Sequence, residues 1–245
     1  MRVIRIIIEP SRFKRLLENV LLYHGGAELD SALGEFSPKQ VMFKDDHLEV
    51  IWLYGAYSKD FFLEYEAGED EKIPFSKSLL EQMKYGFGDD KQMTVRTEGG
   101  KMHLEGTKER YEEPLIEMEP SSFAEEFDFK IDKTLGLVPG KLQAEIQVLM
   151  KADVLTGLPK AGDYLFRSDG KNIEVIIEDV GKYTRQITPS KVGVMKETEL
   201  KFEASYFAKV ANQFDGEVWL TLRENAAVFS QKKKDCMQTY VLSSV

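Results

Sequence analysis

Cysteine occurs once in the 245 residues, at Cys236, and histidine three times, at His24, His47 and His103. A single thiol cannot close a disulfide within the chain and suits a reducing compartment. Nothing around Cys236 suggests catalysis, so it reads as a buried or half-buried structural thiol. The histidines are far apart and lack metal-ligand spacing, and neither a metal site nor a cofactor is expected. Long apolar runs are also missing. The stretch "VIRIII" near the start is too short and too charged for a signal peptide or a membrane span. No later stretch approaches the ~18 apolar residues that a span requires. The chain therefore reads as soluble and intracellular, cytoplasmic or nuclear according to its host. No G-x-S-x-G, Walker loop or G-x-G-x-x-G is present, which removes common signatures of hydrolase, ATPase and dinucleotide chemistry. Basic residues are in the minority, 33 against 42 acids, for a formal charge of -9. That balance argues against a chain that coats nucleic acid or an anionic membrane all over, and leaves local patches to decide.

With 42% hydrophobic and 11% aromatic residues, the chain can pack one large or two ordinary domains. Its most informative property is that it repeats itself. The stretches "LEQMKYGFGDDKQMTVRTE" (80–98) and "FAKVANQFDGEVWLTLRE" (207–224) both begin with helical spacing and change to strict alternation. When Phe75 is set against Phe202, no gap is needed for more than forty residues. Leu79, Leu80, Met83 and Phe87 then face Tyr206, Phe207, Val210 and Phe214, each set spaced to share one helix face. Thr94 and Arg96 face Thr221 and Arg223 on alternating strands, followed by the turn signals "EGG" and "EN". The repeated unit is one strand, one helix and three strands.

Weaker copies begin each half. "VIRIIIE" leads into "PSRFKRLLENVLLY", where Phe13, Leu16, Leu17, Val20 and Leu21 keep helical spacing, and then into strands near Val41 and "HLEVIWLY". "LQAEIQV" leads into a third helix over "LMKADVLTGL", stopped by Pro159, and then into "DYLFRS", the turn "DGKN", "IEVIIED" and "KYTRQIT". Residues 119–133 have no clean period and read as a connecting loop between domains at 1–118 and 134–245. An α+β fold follows, with two similar domains, each of two β-α-β-β-β units that lay their helices across one face of a strand-rich layer. Off the apolar stripes the helices carry Arg12, Lys14 and Arg15, then Lys77 and Lys84, then Lys151, then Lys209. Acids crowd elsewhere, as in "EYEAGEDE" and "YEEPLIEMEP". If the helices share one surface, an acidic chain has one basic side.

Order and spacing of these units resemble the sliding clamps of archaea and eukaryotes, the proliferating cell nuclear antigen (PCNA) family. "FKDDHLEVIWL" is similar to the segment that leads into the partner-binding pocket, "TLGLVPG" to the end of the connecting loop, and "CMQTYVLSS" to the terminal strand. The resemblance implies a three-subunit ring with helices on the inner face and sheets outside, threaded by duplex DNA without regard to base sequence. It implies a non-catalytic processivity factor that docks polymerases, a clamp loader and other proteins bearing short peptide motifs. On this resemblance the DNA contacts are Arg12, Lys14, Arg15, Lys77, Lys84, Lys151 and Lys209. The peptide pocket is Phe43, His47, Leu48, Leu135, Gly136, Leu137, Tyr240 and Leu242. The subunit edges are Tyr111, Pro114 and Ile116 on one side and Ile173, Val175 and Ile177, from "NIEVIIED", on the other. Two departures from the family pattern stand out. Ala227 lies where a pocket proline is usual, and Pro114 sits in an interface strand although proline supplies no ladder donor.

Alternatives are a subunit of a heterotrimeric or checkpoint-type clamp, a strand-rich interaction module without a DNA role, and an enzyme using the Asp-rich turns "KDDH" and "GDDK". The aspartates of both turns also suit local backbone bonding.

Overall fold

In a computed structural model, residues 5–20, 27–30, 39–44, 51–57, 61–66, 72–75, 77–115, 129–132, 136–139, 143–178, 181–233 and 237–244 are described. The chain divides into two units, Met1–Glu49 with Leu53–Ser122 and Lys233–Met237, and Val50–Trp52 with Phe123–Lys232 and Gln238–Val245.

The first unit runs β1 (Arg5–Ile8), α1 (Pro10–Val20), β2 (Ala27–Asp30), β3 (Lys39–Lys44), β4 (Ile51–Tyr57), β5 (Glu64–Glu66), β6 (Lys72–Phe75), α2 (Lys77–Tyr85), β7 (Met93–Glu98), β8 (Lys101–Glu105) and β9 (Arg110–Pro114). The second runs β10 (Phe129–Asp132), β11 (Gly136–Pro139), β12 (Ile146–Lys151), α3 (Ala152–Thr156), β13 (Asp163–Asp169), β14 (Ile173–Glu178), β15 (Lys182–Ile187), β16 (Lys191–Met195), β17 (Glu197–Glu203), α4 (Ala204–Ala211), β18 (Glu217–Arg223), β19 (Ala226–Lys232) and β20 (Met237–Ser244). The β-α-β-β-β unit thus recurs four times, begun by β1, β6, β12 and β17. The halves even share an addition absent from the sequence reading: β5 pairs with the first strand of its half, and β16 with the first strand of the other.

In the first unit one sheet has the order β5-β1-β7-β8-β9, and β4-β3-β2-β6 lie side by side. In the second, β16-β12-β18-β19-β20 and β15-β14-β13-β17 are the corresponding runs. Alternation puts Met93, Val95 and Thr97 of β7 inside with Ile6 and Ile8, against Phe13, Leu16 and Leu17 of α1 and Leu79 and Met83 of α2. In the second core, rings converge on one helix residue. Phe207 of α4 has its ring centroid 5.0 Å from Phe166, 5.6 Å from Phe202 and 4.8 Å from Phe229, so one helix residue ties strands of two sheets together.

Four expectations need correction. Leu149, Met150 and Lys151 belong to β12, not to the third helix. Leu149 pairs with both Trp219 and Lys191, and these flanking strands claim the backbone that a helix would need. α3 therefore has only five residues, and Lys151 ends a strand. Phe87 lies past the end of α2, at φ 65°, and still buries its ring. Residues 119–133 are not wholly irregular, because β10 within them pairs with β11 as a hairpin. Most consequential for the site, β14 is not an edge. It pairs with β13 on one side and β15 on the other, with Ile173, Val175 and Ile177 buried, so the outermost strands of that sheet are β15 and β17.

In the sheet β5-β1-β7-β8-β9 the strand β9 is outermost at one end. Leu115 N–H donates to Gly100 O and Gly106 N–H to Glu109 O, both at 2.9 Å. Because antiparallel bonding alternates, Tyr111 and Glu113 must face β8 while Arg110, Glu112 and Pro114 turn their backbone outward. Pro114 therefore costs β8 no bond and removes one donor from the open edge.

Candidate nucleic-acid interface

α1 opens with Pro10 at its first position, where a missing N–H costs nothing, and Phe13 N–H donates to Glu9 O at 3.0 Å. The apolar stripe of α1 faces the core, which leaves Arg12, Lys14 and Arg15 along its margin, all partly exposed. α2 packs against α1 and ends at Lys84-Tyr85. A groove of about 640 Å³ lies between the start of α1 and the end of α2, lined by Glu9, Pro10, Ser11 and Lys14 from one and by Met83 to Gly86 from the other, and closed by Gly88, Asp90 and Lys91.

The wall formed by residues 86–91 is pinned twice to the turn between β8 and β9. Phe87 N–H donates to the Glu109 carboxylate at 2.6 Å, and Thr107 N–H donates to Asp90 at 3.0 Å. The hydrogen bonds from Thr107 hold the Asp90 carboxyl below the usual carboxylate range. Approach is so close that a Cβ on Gly86 would meet the Glu109 carboxylate, and one on Gly106 would meet Asp90. The "GDDK" aspartate thus serves backbone geometry.

The basic residues differ in how free they are. Arg12 donates to Phe61 O at 3.3 Å and pairs with Glu9 at 3.3 Å, and so braces its own unit. Lys14 stands 3.9 Å from Glu18, a loose exposed pair. Lys84 donates to Glu81 at 2.6 Å, and this hydrogen bond raises its pKa. Such exposed pairs contribute little and exchange readily for another anion. In the second unit Ala152 N–H donates to Gly216 O at 2.8 Å, which brings the start of α3 beside the loop after α4. Lys151 is exposed there, and Lys209 is exposed on the last turn of α4, 5.5 Å above the Tyr206 ring. Each unit therefore gathers cations where the start of its first helix meets the end of its second. Sequence reasoning missed Lys91 and Tyr85. An aromatic residue off the apolar stripe of α2 was the available signal.

Other expected site residues fare differently. Tyr240 and Leu242 are buried, and the Tyr240 ring meets Phe214 edge-on with centroids 5.4 Å apart. Ala227 is fully buried in β19. Tyr111, on β9, donates its hydroxyl to Glu113 at 3.0 Å, and burial, then that bond, raises its pKa. Glu113 also accepts from Ser78 Oγ at 2.6 Å, which ties the open edge to the start of α2. His47, Leu48, Ile116, Leu135 and Cys236 lie outside the described residues, as do Asp45 and Asp46 and the side chains of Phe43, Lys77 and Leu137. Among the described residues no group of three or more His, Cys, Asp or Glu could hold a metal ion, and no helix is long and apolar enough to cross a membrane.

No family model matches this sequence, and no curated protein does. Solved structures match over its full length. PCNA from Entamoeba histolytica superposes with a TM-score of 0.75 at 11% identity, covering 100% of both chains. A. fulgidus PCNA bound to the C-terminal region of FEN-1 gives 0.69 at 15%, covering 99% of this chain and 98% of that one. The PCNA2-PCNA3 complex from Sulfolobus tokodaii gives 0.71 at 11%, covering 98% of each. The clamp architecture expected from four repeated units is the one found, and from end to end this chain has the fold of the PCNA clamps.

Proposed function

We propose that the chain is a subunit of a DNA sliding clamp, a non-catalytic ring that encircles duplex DNA and docks replication and repair proteins. The observation that carries this reading is the full-length match of all four β-α-β-β-β units to clamp chains. Cations borne on or beside the helices of both units support it, since scattered lysines attract phosphate without reading bases and leave every register nearly equal in energy. On this reading Lys14, Arg15, Lys77, Lys84, Lys151 and Lys209 face the duplex. Arg12 contributes less because Glu9 and Phe61 O hold it. A closed ring keeps a bound polymerase at high effective concentration without tight binding to DNA.

Ring closure would join two outermost strands, β9 of one subunit and β15 of the next. β9 exposes Arg110 and Glu112, the latter paired with Lys101 of β8, and β15 exposes Lys182. Clients would dock their peptides over Phe43, His47, Leu48, Leu135, Gly136 and Leu137, backed by Tyr240 and Leu242. Retention on circular DNA with release on linearisation tests encirclement. A chain that never stays on circles, even with a loader, would end this reading.

Pro114 favours a second reading, a subunit of a hetero-oligomeric clamp, because a docking strand loses one donor at β9. Light scattering separates the two. A trimer of the purified chain supports the homotrimer, and a monomer that assembles only with related chains supports the heteromer.

A further inference from the structure

The groove of the first unit holds a group that phosphate attraction leaves unexplained. Tyr85 is 85% exposed, and among the described residues its ring has no stacking partner and its hydroxyl no hydrogen bond. It lines the same groove as Lys14, Lys84 and Lys91, over a buried floor of Pro10 and Met83. The two acids of the lining are engaged elsewhere, Glu9 with Arg12 and Asp90 with Thr107. What remains is one exposed aromatic face, a buried apolar floor and three ammonium groups, of which Lys14 and Lys84 hold exchangeable surface pairs with Glu18 and Glu81, in a volume suited to a small ligand.

We infer that this groove takes an unpaired nucleotide of a nucleic-acid strand, with the base stacked on Tyr85 and its flanking phosphates on Lys14, Lys84 and Lys91. Any base offers a π-face, so such a site tolerates every sequence. In an intact duplex those faces are covered by neighbouring base pairs, and the ring finds a partner only where a base is unstacked, as in a gap, a flap or a single strand. Under the repeat, Asn212 occupies the place of Tyr85 in the second unit and has no comparable face. The inference rests on the nucleic-acid reading of Lys14 and Lys84 and adds a preference to it.

The test is fluorescence anisotropy of the full chain with a short labelled oligothymidylate and with a duplex of equal length, at fixed salt. Tyr85→Ala should weaken single-strand binding about tenfold, as expected for removal of one base–aromatic stack. It should leave duplex binding unchanged. Tyr85→Phe should bind like the native chain, and Asn212→Ala should change neither affinity. Native single-strand affinity in Tyr85→Ala, or equal weakening on both ligands, would overturn the inference. The double variant Lys14→Glu/Lys84→Glu separates the two levels. If it loses binding while Tyr85→Ala does not, only the stacking site fails, and if neither changes binding, the role of the helix lysines fails with it.

Discussion

The two units repeat one plan with different materials. The first has helices of 11 and 9 residues and a cluster of buried rings at Phe61, Phe62 and Tyr65, and the second has helices of 5 and 8 residues and gathers buried rings around Phe207 of α4. Leu80 and Phe207 are equivalent under the repeat, yet Leu80 is half-exposed whereas Phe207 is fully buried among four rings. A five-residue helix has little face of its own to bury, and in the second unit the rings around Phe207 of α4 tie helix and strands together. The first unit consequently has helix surface to spare, and it is there that the groove forms.

Truncating these two equivalent residues breaks the comparison most severely. Phe207→Ala should destabilise the second unit by about 3–5 kcal/mol, and Leu80→Ala should cost the first only about 1–2 kcal/mol. Denaturant titration with probes in each unit reads both, and equal destabilisation would remove the contrast. Next in size is the charge comparison. Lys14→Glu/Lys84→Glu should lower DNA affinity more than Lys151→Glu/Lys209→Glu, with the log–log salt slope falling by about 0.9 for each phosphate that the protein no longer neutralises. Equal effects would mean that the units share the work. Within the proposed docking site, Leu137→Ala should abolish peptide binding. Tyr240→Ala is a poor probe there, because removing a buried ring from the core costs about 3–5 kcal/mol by itself.

Smaller effects concern edges and turns. Pro114→Val restores an outward N–H on β9 and should tighten self-association by about 1 kcal/mol, roughly fivefold. Sedimentation equilibrium that shows no change would remove β9 as a docking edge. The smallest effect is in acid. Asp169 accepts from Asn172 side-chain Nδ2 and from the backbone N–H groups of Asn172 and Lys171, which lowers its pKa to about 2. Its folded value lies below the ordinary aspartate value of about 3.9. The turn it holds is therefore fully supported above that value and loses support as pH falls through about 2. Asp169→Asn should flatten this acid response in an NMR or circular dichroism titration, and an unchanged response would show that the carboxylate is not its source.

Much of the architecture was legible because the repeat makes each copy evidence for the other. The gapless match of Phe75 with Phe202 located α2 and α4, β7 and β18 together. "LMK" failed as helix because Ile146, Val148 and Met150 satisfy a two-residue period as well as a helical one over so short a run, and only flanking strands decide. The edge was misplaced although a signal existed. "IEVII" is apolar on both faces, the mark of an interior strand, whereas "KYTRQI" is polar and exposed, the mark of a rim. β10 and β11, at four residues each, are too short to show a period. Of the candidate site, the helix-borne cations could be read from spacing. That Arg12 is held by a carbonyl 49 residues away could not.

The twin pins from Glu109 and Asp90 have a consequence for recognition. A guest entering beside residues 86–91 meets masonry already set, since one carboxylate from the β8–β9 turn and one from the wall itself have fixed that side beforehand. Ordering entropy that other surfaces give up at the moment of capture is here given up during folding, which leaves more of each contact available as affinity.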